Sequence, residues 1–123
     1  MSSHEAAYLH AQRELAETAT AAVVLDLVHA TGLRPEVTVD LYQDRWVRIV
    51  IDRGYTTPSM EARTVPEALV EVADYIQAHV DSVCWPTCPE HDMGLHAEVR
   101  NLSPVWWCRV GDHSVAAVGR LGG

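Results

Sequence analysis

The chain has 123 residues, 48% hydrophobic and 21% charged, a size and balance that support one buried core and exclude a disordered composition. Its net charge is −8, and the acidity lies in front: residues 1–83 carry six arginines against thirteen acidic residues, residues 84–123 three against four. A surface this acidic repels phosphates and anionic lipid, so neither nucleic acid nor membrane is expected as a partner.

In chain order, residues 3–31 read as one long helix, with Ser3 as cap, Glu5 and Glu14 early and Gly32 as stop. Tyr8, Leu15, Ala19, Ala22, Val23 and Leu27 recur at three- and four-residue steps and define its expected inner face. After Arg34-Pro35, Val37, Val39 and Leu41 alternate with polar neighbours as a half-buried strand, and Trp46 to Asp52 follows as a second, with Gln43-Asp44 as the hairpin turn. Tyr55 to Arg63 reads as a weaker third strand that Pro58 confines to an edge or breaks. Thr64-Val65-Pro66-Glu67 fits a capping box, and Leu69, Val72, Ala73, Ile76, Val80 and Val83 hold helical spacing for a second helix.

From Val83-Cys84-Trp85-Pro86 the composition changes to turns, cysteines and tryptophans. Three cysteines, an odd number confined to the last third, argue against a disulfide framework and for metal. Two residues separate Cys88 from His91, four separate Cys108 from His113, and sixteen lie between the pairs. These short-long-short spacings suit tetrahedral zinc, which takes thiolate and imidazole at about 2.0–2.3 Å, so Cys88, His91, Cys108 and His113 are the expected zinc ligands. Cys84-x3-Cys88 is a rival spacing, and His96 could replace His91. Four protein ligands make a closed, structural site; with three, Glu90, Asp92 or Glu98 could act as base to a bound water. The bland alternative packs the cysteines as small hydrophobes. Leu95–Val99 and Val105–Trp107 read as strands joined by Asn101-Leu102-Ser103-Pro104, with Ser114–Leu121 as a third. Adjacent Trp106 and Trp107 must face opposite sides of their strand, one expected on the metal turns and the other on the second helix, unless one is an exposed anchor. His4 and His10, six apart, do not share a helix face as a zinc-protease pair would.

The expected fold is α+β: a long N-terminal helix, a small antiparallel sheet, a second helix, and a C-terminal hairpin module whose strands extend or cap that sheet. An acidic part, 1–83, and the metal-binding part, 84–123, are expected to pack as one domain. The order helix, strands, helix is similar to that of double-stranded-RNA-binding domains and of small acidic secretion chaperones that pair as dimers. The RNA-binding likeness fails at Val65-Pro66-Glu67-Ala68-Leu69, which offers no lysine to phosphate. The last third resembles a zinc ribbon, departing from the commonest form in using histidine as the second ligand of each pair. The run W-P-x-C-P-x-H, then W-W-C, then H-x-V-A-x-V-G-x-L resembles small actinobacterial proteins, a likeness that implies no particular function. The absence of Lys and Phe and the many Ala and Val residues fit GC-rich bacterial coding. No apolar run approaches eighteen residues and no basic segment precedes one at the N-terminus, so a cytoplasmic location is expected. The function these features favour is non-enzymatic: a zinc-containing binding or adaptor protein that meets a protein partner or a second copy of itself. A zinc-dependent hydrolase with an open metal position and a zinc-ribbon transcriptional regulator are the alternatives.

Overall fold

In a computed structural model describing residues 2–80 and 84–123, helix α1 spans Ser3–Thr31. Its cap is Ser2 rather than Ser3: the Ser2 hydroxyl accepts the Glu5 amide at 3.1 Å, and Ser3 becomes the first helical residue. Gly32 ends it in the left-handed conformation, φ 78°, its N–H bonded to Val28 O, a cap that a side chain would make costly. The buried strip is Gln12, Ala16, Ala19, Thr20, Val23, Asp26 and Leu27, shifted from the expected face. Tyr8 is exposed, and Leu15 and Ala22 are only partly buried. An alanine-rich helix has little apolar asymmetry of its own, so the elements packed on it decide which side turns inward.

Strands β1 (Val37–Tyr42) and β2 (Trp46–Ile51) pair antiparallel from Val37↔Ile51 to Tyr42↔Trp46. The expected turn is there, with Gln43 and Asp44 both left-handed at φ 54°. Val47, Ile49 and Ile51 alternate inward onto the core. The third strand shrinks to β3 (Tyr55–Thr56) on the far side of β2. Pro58 has no N–H to extend a ladder, and the chain continues beside β2 through single bonds, Thr57 N–H to Ile49 O and Met60 N–H to Val47 O.

Helix α2 (Val65–His79) opens with the Thr64 hydroxyl accepting the Glu67 amide while the Glu67 carboxylate accepts the Arg63 amide, a capping box displaced by one residue. Ala68, Leu69, Val72, Ala73 and Ile76 form its buried stripe, as the periodicity predicts. Val80 caps it, and Val83, read above as part of this helix, lies outside the described residues.

The C-terminal strands β4 (His96–Arg100), β5 (Ser103–Cys108) and β6 (His113–Ala117) make a second antiparallel sheet in the order β4-β5-β6. They do not extend the first sheet; β4 and β5 pack on α2, which packs on α1, which packs on β1 and β2. The β4–β5 turn is only Asn101-Leu102, at φ 50° and 66°, and Pro104 enters β5 opposite Val99. Pro104 has no N–H to answer Val118 on the β6 side, where the Val118 N–H donates to Pro104 O and β6 ends at Ala117. The apolar core draws on both sheets and both helices, from Val23, Ile49 and Val72 to Leu95 and Trp106.

Candidate metal centre

Two tight turns of the C-terminal part bring the chemistry together. In the first, the Cys88 amide donates to Met93 O and the Asp92 amide to Cys88 O, while a Thr87–Gly94 bridge closes the base. Cys88 and His91 therefore face the same way across three residues. The second turn joins β5 to β6 between the paired residues Cys108 and His113. The Gly111 amide donates to Cys108 Sγ at 3.3 Å, and the backbone at Glu90 and His91 favours the Cys88 thiolate. Amide donors aimed at sulfur favour thiolate over thiol.

The four expected residues meet: one donor atom each from Cys88, His91, Cys108 and His113, all within 4.8 Å of one another. Cys88 Sγ lies 3.4 Å from His91 Nδ1 and 3.5 Å from His113 Nε2, and Cys108 Sγ lies 3.5 Å from His91 Nδ1. Sulfur and nitrogen held tetrahedrally at zinc bond lengths of about 2.3 and 2.05 Å stand about 3.6 Å apart, so the observed edges fit such a cation. A thiol proton bridges one of these lines at a time; a cation at the centre serves all of them. The second nitrogen of His113, Nδ1, lies 3.2 Å from Ser114 O. A carbonyl only accepts, so Nδ1 carries the proton and Nε2 turns its lone pair to the cluster, the usual orienting contact of a metal-binding histidine.

Electrostatics agree with a site made for thiolate. Burial opposes ionisation of Cys88, but the His91 side chain, the backbone at Glu90 and His91 and the Cys108 thiol outweigh it and bring Cys88 down to about 6. His113 is raised, first by its contact with Cys88, against a smaller opposing effect of burial. Both cysteines are buried, and the two imidazoles close the cluster toward solvent. Gly111 is there for space: a β-carbon on it would fall 2.6 Å from His113 Cδ2 and 2.9 Å from His91 Nδ1.

The rival donors lie elsewhere. Among the described residues, neither Cys84 nor His96 belongs to the cluster. Cys84 is exposed, its sulfur 3.0 Å from where a β-carbon of Gly94 would sit, and His96 pairs across β4–β5 with Trp107. Glu98, a possible base on the sequence reading, instead holds Arg100 at 2.9 Å and Arg109 at 3.4 Å. Burial raises its carboxyl, but the two guanidiniums prevail and hold it below the usual range. Arg100 also covers the Trp107 ring at 3.9 Å.

One residue escaped the sequence reading. Asp26, fully buried in α1, accepts the Trp106 indole N–H at 2.7 Å, the Gly119 amide at 2.5 Å and the Leu121 amide at 3.0 Å. It ties α1 to the strand that ends in Cys108 and to the chain after β6. The signal was a single acid inside the apolar run Val23-Val24-Leu25-Asp26-Leu27-Val28. Trp106 accordingly reaches α1, and stands edge-on to Trp85 at 5.7 Å between ring centres. No described helix is long and apolar enough to cross a membrane. No protein-family model, curated protein or solved structure matches the chain, so the reading of this centre stands on its geometry.

Proposed function

We propose that the chain is a non-enzymatic binding protein of the cytoplasm whose C-terminal sheet is stapled by one zinc ion on Cys88, His91, Cys108 and His113. The observation that carries the zinc is the set of sulfur–nitrogen edges of 3.4–3.5 Å. Two thiolates and two imidazoles are a donor set that suits zinc over the harder cations, and two Cys-His turns facing each other, the second in a hairpin, resemble a zinc ribbon. Four protein donors complete a tetrahedron, which favours a fold-holding ion over the hydrolase alternative, whose water needs an open position. The regulator alternative needs a basic face, and of Arg100, Arg109 and Arg120 the first two are engaged by Glu98.

Elemental mass spectrometry on untagged protein tests this. About one zinc per chain is expected in the wild type, with loss in Cys88→Ser and Cys108→Ser together with loss of folded structure in the C-terminal part. No metal in the wild type would overturn the zinc assignment. Zinc that leaves without harm to the fold would return the question to the hydrolase.

A further inference from the structure

We infer that two copies of the chain pair through the open edge of β1, in an antiparallel register centred on Val39. This chooses between the two partners of the binding reading and is independent of the metal. In the first sheet, ordered β1-β2-β3, one side of β1 has no strand among the described residues. The Asp52 amide bonds Glu36 O, and with the Val37↔Ile51 register this makes Thr38, Asp40 and Tyr42 the residues bonded to β2. The N–H and C=O groups of Val37, Val39 and Leu41 therefore point away from β2 along a bare edge, without proline or lysine to protect it.

That edge is self-complementary. Only a two-fold axis at Val39 places all three outward residues in bonded pairs, Val37 with Leu41 of the second copy, Val39 with Val39, and Leu41 with Val37, each pair exchanging two hydrogen bonds. On the outer face it sets Asp40 opposite Thr38, so no acid meets its own copy. The net charge of −8 would oppose self-association, yet the acids at this edge have their own arginines: Asp40 with Arg48 at 2.9 Å, Glu36 with Arg53 at 3.0 Å, and Glu17 with Arg13 at 3.0 Å. Five-residue pairing alone is small against the roughly 1,200 Å² that stable pairs bury. Beside the edge, Ala21 and Val24 of α1 with Val37 and Val39 line an open groove of about 440 Å³ that adds apolar surface. Thr20, 8% exposed, lines it as well, and its hydroxyl has no hydrogen-bond partner among the described residues.

Light scattering and sedimentation over rising concentration test the pairing on the zinc-loaded wild type, Val39→Pro, Thr38→Asp and Thr38→Lys. Val39→Pro removes an N–H that β2 does not use. Thr38→Asp sets an acid against Asp40 of the second copy, and Thr38→Lys sets a cation there; both lie on the exposed outer face. The expected result is a concentration-dependent dimer, weakened at least tenfold by Val39→Pro and by Thr38→Asp, strengthened by Thr38→Lys, with helical content and zinc content unchanged. A wild type that stays monomeric, or a dimer indifferent to these changes, would overturn the pairing; either result with zinc still bound leaves the metal reading intact.

Discussion

Residues 2–80 bury Val23, Leu27, Val47, Ile49, Ile51, Val72 and Ile76, an aliphatic core of two helices against a sheet. Residues 84–123 bury Leu95 and two tryptophans, and beside them two cysteines. The first part is stabilised by area removed from water, with each large aliphatic side chain contributing about 1.5–3 kcal/mol. In the second, directional contacts take the place of area: a four-donor cluster, a buried carboxylate with three N–H partners, and Gln77 of α2 donating to both Trp85 O and Leu95 O. A short segment with few aliphatic residues becomes ordered when polar atoms converge strongly, at the cost of depending on a few of them.

Metal removal is the widest test of that contrast. A structural zinc contributes on the order of 10 kcal/mol in small modules. Chelation should therefore abolish amide-exchange protection from Trp85 to Val118 while α1, β1 and β2 keep much of theirs. Equal protection loss in both parts would show that the aliphatic core does not stand without the second sheet.

Asp26 is the next lever, because it links the two parts. Asp26→Ala strands one buried and two half-buried N–H groups, at about 1–3 kcal/mol for each that water does not reach. Denaturant unfolding should show a loss of roughly 3–5 kcal/mol, large even for a buried site. The isosteric Asp26→Asn, which keeps one acceptor oxygen, should lose less. A loss within the range of surface changes would mean that the indole and the two amides find other partners.

Much of this arrangement was legible in the sequence, and the exceptions share a cause. Gly32, the Gln43-Asp44 turn, the Thr64–Glu67 cap and the Cys88/His91 and Cys108/His113 spacings act over a few residues, so local chemistry announces them. Asp26 bonds residues 80, 93 and 95 positions away, and no short-range pattern marks an acid that will be buried. The separation of the two sheets was hidden for the same reason: periodicity says which face of a strand is apolar, not which edge it meets. The inner face of α1 was found at Ala19, Val23 and Leu27 but missed at Gln12, Ala16, Thr20 and Asp26, because alanines mark no side.

Smaller effects sharpen the picture inside the metal centre. Gly111→Ala pushes a methyl into both imidazoles, and zinc affinity should fall about 10–100-fold, as for other losses of ligand support. In the metal-free protein, Cys88 is depressed from 9.0 to about 6, so its ionisation adds stability above that range that is lost as pH falls through about 6. His113 is shifted the opposite way, above 6.5, and its contribution is lost as pH rises through its folded value. Denaturant midpoints of the metal-free chain should thus rise from about pH 6 toward 9.0, less steeply just above 6.5 where the His113 contribution is lost, whereas zinc-loaded protein should vary less. A metal-free profile flat from about pH 6 to 9.0 would remove the Cys88 thiolate from the account.

The smallest expected effects come from the rival donors, and that makes them informative. Cys84 lies at the surface and His96 on the exposed side of β4, so Cys84→Ser and His96→Ala should each change stability by no more than about 0.5 kcal/mol and leave the zinc content unaltered. Retained metal in both, set against loss in Cys88→Ser, would confine the donor set to the two facing turns. If Cys84→Ser released the ion, the first turn would have to open toward Gly94, against which the Cys84 sulfur now packs, and the tetrahedral edges seen between Cys88 and the two histidines would describe only one of two arrangements.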